Sequence, residues 1–193
     1  IPPGNMIGVP AQGYLVRGHG VVFLVDAGYR DVSVLGAGGT CTPEHDFHRR
    51  LASAGVSVDD LDFVVLTHAH RDHAGHVEKV PLGIPVVLSR AELATAASGI
   101  QGHAYARDDV LHLIHRLYTP GALRLLDLEP GGWEEIAPEV MVRLSGGHTA
   151  GSLGVIVPTA DGPAYLCGDL LYDIRGSLSS PPRDSFVARV QPT

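Results

Sequence analysis

One short stretch constrains this chain more than any other: Thr67-His68-Ala69-His70-Arg71-Asp72-His73, placed directly after the apolar run Phe63-Val64-Val65-Leu66. A continuous apolar run of that length reads as a strand buried on both faces, which holds its end rigidly in place. Side chains alternate along a strand-like segment, so His68 and His70 project to the same side. Asp72 and His73 lie past the strand end, where a turn can aim them at a second point beside the first. One loop thereby offers two nitrogens to one cation, and an oxygen and a nitrogen to a neighbouring one. A solvated turn that happens to be His-rich is the plain alternative. Even with 11 His in 193 residues, an H-x-H-x-D-H pattern would arise by chance in only about 0.3% of such chains.

The rest of the chain supplies a scaffold for that loop. Gly13–Arg17 and Val21–Val25 flank Gly18-His19-Gly20 and read as a hairpin. After the Gly-rich segment 36–39, Thr42 followed by Pro43 predicts a helix start, with the helix running to about Ala54 and stopping at Gly55. Strands are predicted over 63–66, 84–88, 123–128, 140–144, 153–157 and 164–167, and helices over 90–97 and 108–117. The pattern is that of an α/β chain, taken as a single domain over residues 1–193. Two further residues fall at predicted strand ends. Gly146-Gly147-His148-Thr149 lies between two strands, where the glycines allow a sharp bend, and Gly168-Asp169 follows another.

Taken in order, H-x-H-x-D-H after an apolar strand, a Gly-His loop and a later Gly-Asp resemble the metallo-β-lactamase superfamily, as does the strand-ending turn Val25-Asp26-Ala27-Gly28. The resemblance implies a four-layer αββα sandwich. It also implies that His68, His70 and His148 hold one metal, that Asp72 and His73 hold a second, and that Asp169 bridges both. Two zinc ions are the first expectation, with iron, cobalt or manganese as alternatives at such nitrogen-rich sites. The β-lactamases proper carry Cys at the bridging position, so Asp169 points away from antibiotic hydrolysis. Tyr172, three residues on, resembles the Asp-x-x-Tyr spacing of the N-acyl-homoserine lactonases, in which a Tyr reaches the substrate carbonyl. That likeness implies a quorum-quenching hydrolase that opens a lactone ring with hydroxide supplied at the metal pair, Tyr172 polarising the carbonyl and Asp72 carrying a proton. A glyoxalase-II-like thioesterase, another ester or phosphodiester hydrolase, and a degenerate non-catalytic member are the competing readings.

The chain also departs from the family pattern. That pattern requires a further His some 40–60 residues beyond the bridging Asp, whereas no His follows His148 and the chain ends at Thr193. Truncation before the last helix and strand elements is therefore expected, and the resulting open sandwich face would favour a homodimer. The N-terminus likewise begins without Met or a signal pattern. Two cysteines make neither a disulfide framework nor a four-thiolate site, and a reducing compartment, the cytoplasm, is the expectation. Net charge of −7 and the lack of a long apolar run argue against nucleic-acid and membrane partners, and the lactonase likeness implies a small-molecule acyl lactone or related ester as the partner. Segments 6–9 and 32–35 are candidates to line its acyl groove. His76 is expected on the surface, or else orienting a ligand carboxylate. His45 and His48 are expected to face solvent, and His103, His112 and His115 to lie in a segment that can form a lid.

Overall fold

The computed structural model describes residues 11–18, 20–30, 42–100 and 102–171. Tyr172, segments 6–9 and 32–35, and the tail after it lie outside the described residues.

The predicted hairpin is present as β1 (Tyr14–Gly18) and β2 (Val21–Val25). They open a five-stranded sheet in which β2, β3 (Phe63–Val65), β4 (Val86–Ser89) and β5 (Leu123–Leu126) follow in order as parallel neighbours. The second sheet is an antiparallel meander of β6 (Trp133–Ala137), β7 (Val140–Leu144), β8 (Leu153–Val157) and β9 (Ala164–Leu166). Among the described residues, three helices accompany the first sheet: α1 (Phe47–Ser53), α2 (Arg90–Ser98) and α3 (Arg107–Leu117). No helix among the described residues is long and apolar enough to cross a membrane.

Alternation along the strands divides the apolar side chains between two cores. Phe23, Val25, Val65, Val87 and Leu126 face the second sheet and pack with Val142, Leu144, Leu153 and Val155. Their neighbours Leu24, Val64, Val86 and Leu88 face the other way, meeting Phe47 and Leu51 of α1, Leu93 of α2 and Leu113 of α3. Layering is therefore helix, sheet, sheet among the described residues, and β3 and Val86–Leu88 of β4 are wholly apolar because both of their faces are covered. Ligand sites in such sheets form beyond the carboxyl ends of the parallel strands. Here those ends carry Asp26, Thr67-His68 and Ser89.

Two elements differ from the sequence expectation. The helix expected from Pro43 to Ala54 is split into a short 3₁₀ turn at Pro43–His45 and α1, because Asp46 leaves the helical region at ψ 135° and caps α1 by accepting from Arg49 N–H at 3.1 Å. β6 was not predicted. Its sequence, Trp-Glu-Glu-Ile-Ala, has little apolar alternation, and it is held at the sheet edge by pairing with β7, with a register shift between Glu135 and Ala137.

Candidate metal centre

The centre is assembled from strand ends of both sheets. β2 stops at Asp26, which adopts φ +61°, a conformation that Asp tolerates better than most residues. Its N–H donates to Val65 O at 2.8 Å, and the next N–H, of Ala27, donates to His73 O at 2.6 Å. The buried Asp26 carboxylate receives Thr67 N–H at 2.8 Å and the Thr67 hydroxyl at 2.8 Å, and lies 2.8 Å from His73 Nδ1. The turn thus fixes the His73 ring with Nε2 directed at Asp169 Oδ1, 3.2 Å away, and Asp72 Oδ2, 3.7 Å away.

The second sheet contributes through the β7–β8 loop. Gly146 and Gly147 take φ +57° and +89°, where a Cβ would be strained, and this bend turns His148 inward. Its Nε2 lies 2.9 Å from His70 Nδ1 and 3.8 Å from Asp169 Oδ2. Leu153 N–H donates to Thr67 O at 2.7 Å, tying the start of β8 to the His loop.

Two donor groups result. The ligand atoms of His68, His70 and His148 all lie within 4.8 Å of one another, as do those of His68, His73 and Asp169. All six predicted metal-site residues are therefore in one neighbourhood, with two refinements. His68 belongs to both groups, and Asp72 stands at the rim with its side chain 37% exposed. Asp169 faces one oxygen toward each group. Burial holds the His68 pKa well below its ordinary value, the charges of His73, His70 and His148 adding to the effect. Burial also lowers that of His148, against the pull of Asp169. Both rings are therefore neutral at pH 7, the form a metal binds. His73 differs: burial opposes its charge, but Asp26, Asp169 and Asp72 together outweigh it and raise its pKa to about 10. Cationic charge is favoured there, whether it comes as a proton or as a metal ion.

These donors fit a divalent metal. His68 Nε2 is buried without a hydrogen-bond partner, and imidazole nitrogens with carboxylate oxygens are the mixed set that zinc and similar ions take. Beside them, a cavity of about 300 Å³ is lined by Tyr29, His70, Arg71, Asp72, His103 and Ala104.

His103 thus reaches the mouth, whereas His112 and His115 lie on α3, His112 accepting from Arg116 Nε at 3.0 Å. His45 and His48 are exposed as expected. His76 is not. It is buried against Phe47, with ring centroids 5.4 Å apart, because the tight turn after His73 carries the chain back under α1.

Sequence reasoning also passed over Glu92 and Tyr105. Glu92 is fully buried, and burial raises its pKa against the hydrogen bonds it accepts. Its signal is masked because Ser89-Arg90-Ala91-Glu92 reads as an ordinary helix-capping box. Ser89 does cap α2, accepting from Glu92 N–H at 3.0 Å, but the Glu92 carboxylate is committed elsewhere.

The profile of the Metallo-beta-lactamase superfamily matches residues 7–190 of the chain. Among curated proteins, N-acyl homoserine lactonase AiiB of Agrobacterium fabrum is 29% identical over 178 residues, covering 84% of this chain and 63% of that protein. N-acyl homoserine lactonase AiiA of Bacillus thuringiensis subsp. kurstaki is 24% identical over 179 residues, covering 86% and 65%. The chain thus spans less than two thirds of the length of these relatives. Among solved structures, an N-acyl homoserine lactone hydrolase with N-hexanoyl-L-homoserine at its catalytic metal center matches with a TM-score of 0.77 at 20% identity, over 94% of this chain and 72% of that one.

Proposed function

The chain belongs to the metallo-β-lactamase superfamily, and on that footing we propose that it is a metal-dependent hydrolase that opens the ring of an N-acyl-homoserine lactone or a closely related acyl lactone. The observation that carries a two-metal hydrolase is Asp169, which turns one oxygen toward His73 and the other toward His148, as a carboxylate shared between two ions would. The lactone assignment is supported by the lactonases among the relatives.

His68, His70 and His148 would hold one ion, and His73, Asp72 and Asp169 the second, Asp169 being shared. Ions held there supply Lewis acidity and hydroxide at neutral pH. The chain's own groups perform the remaining tasks. The cavity beside His70 and Asp72 receives the lactone. Asp72, the most exposed carboxylate of the centre, carries a proton to the departing ring oxygen as the acyl C–O bond breaks, so that water and lactone become a hydroxy acid. Tyr172 is assigned the hydroxyl that donates to the substrate carbonyl as charge develops on its oxygen, a contribution of roughly 3–4 kcal/mol for one well-placed donor.

The test is metal content together with turnover of an acyl lactone, followed by a pH indicator, against turnover of a glutathione thioester. Two metals per chain, chelator-sensitive lactone hydrolysis and a loss of about 10²–10³ in kcat for Tyr172→Phe are expected. Metal binding with thioester turnover alone would move the chain to the thioesterase reading. A chain that binds no metal would be a non-catalytic member.

A further inference from the structure

We propose that Glu92 is the positioning residue of the His68–His70–His148 group: one buried carboxylate fastens both loops that carry these imidazoles and so sets their spacing. The proposal rests on the metal-centre reading above.

The contacts of the Glu92 carboxylate end at residues that adjoin a proposed ligand in the chain or touch one. Oε1 accepts from Ala69 N–H at 2.9 Å, and Ala69 is the residue between His68 and His70. The same oxygen accepts from the Tyr105 hydroxyl at 3.0 Å, and the Tyr105 ring stands edge-on to His70 with centroids 4.7 Å apart. Oε2 accepts from the Thr149 hydroxyl at 2.5 Å, and Thr149 follows His148. Further along the same loop, a Cβ on Gly151 would fall 2.1 Å from Glu92 N and 2.4 Å from Glu92 Cα, so only glycine allows this approach. Ser89 closes the contact by donating its hydroxyl to Gly151 O at 2.6 Å. A loop from the first sheet and a loop from the second therefore rest on a single side chain at the start of α2.

Simple packing does not account for an acid here. A fully buried carboxyl group is costly, and an apolar side chain of similar volume commonly fills such a space at no loss of stability. What an apolar residue could not do is accept hydrogen bonds from Ala69, Tyr105 and Thr149 at once and thereby hold His70 and His148 at a fixed distance. Groups that orient metal ligands in this way typically change metal affinity 10–100-fold when removed.

The experiment compares cobalt(II) binding and the visible absorption spectrum of cobalt-loaded protein for the parent chain, Glu92→Gln, Thr149→Val and Tyr105→Phe, with thermal unfolding of the metal-free proteins. Leu51→Ala, a core change in α1, serves as a control for loss of stability alone. Glu92→Gln is expected to weaken cobalt binding about 10–100-fold and to alter the absorption bands, with smaller shifts for Thr149→Val and Tyr105→Phe and an unchanged spectrum for Leu51→Ala. Parent-like affinity and bands in Glu92→Gln would overturn the proposal. Should that variant not fold, the same result in the Thr149→Val/Tyr105→Phe double variant would overturn it. A parent chain that takes up no cobalt would overturn the metal-centre reading itself, a result distinct from either.

Discussion

His76 shows how a single side chain near the centre acquires a pH dependence of its own. Burial lowers its pKa from 6.5 to about 4, and the positive charges of Lys79 and Arg30 add to that shift while Asp46 opposes it. A depressed pKa means that the folded chain prefers the neutral ring. The associated stability is fully present above about pH 6.5 and is lost as the pH falls toward 4. Urea unfolding of metal-free protein between pH 7 and pH 4 should therefore show a steeper loss of stability for the parent than for His76→Leu, which has no proton to bind. Equal slopes would place the His76 ring in contact with water. Asp26 acts at the same scale but through geometry: a left-handed backbone at one residue brings a carboxylate under both Thr67 and His73.

Among the elements, α3 is fastened to the segments that lead into β4 and β5 by a charge that forms no ion pair with a carboxylate among the described residues. Arg116 is fully buried, and its Nη1 and Nη2 donate to the carbonyls of Val77, Val80, Pro81, Ile84 and Ala122. Burial lowers its pKa to about 10, which leaves it charged at neutral pH. Arg116→Met should leave several of these carbonyls without a donor and destabilise the chain by about 2–4 kcal/mol, measurable by chemical denaturation. Arg116→Lys, which retains three donors, should lose less.

The central strands β3 and β4 were legible because burial on both faces leaves only apolar choices, as in Phe63–Leu66 and Val86–Leu88. β6 was not, because its order comes from pairing with β7 rather than from its own side chains. The His68–His73 loop announced itself by composition, and His148 and Asp169 by standing at strand ends within a family pattern. Glu92 and the buried position of His76 were hidden for a different reason. Each depends on which loop folds back over which helix, information that no local spacing carries.

At the scale of the whole molecule, the two sheets share an apolar interior but meet in hydrogen-bonded contact where Thr67 faces Leu153 and His70 faces His148. A ligand that binds only the folded form at a hundred times its dissociation constant stabilises by about 2.7 kcal/mol. For a chain of this size, chelation should therefore lower the melting temperature by roughly 5–10 °C. Amide exchange should rise most at Leu153 and Asp26, whose N–H groups join the strand ends, and least in the middle of β4. Uniform change, or none, would show that the ions do not brace this edge.

Because His68 lies within reach of both donor groups, the two are not independent seats. An ion held by His68, His70 and His148 would draw on a ring that also lies within reach of His73 and Asp169, so the affinity of one seat would depend on whether the other is filled. Uptake of a first equivalent should therefore change the affinity for a second.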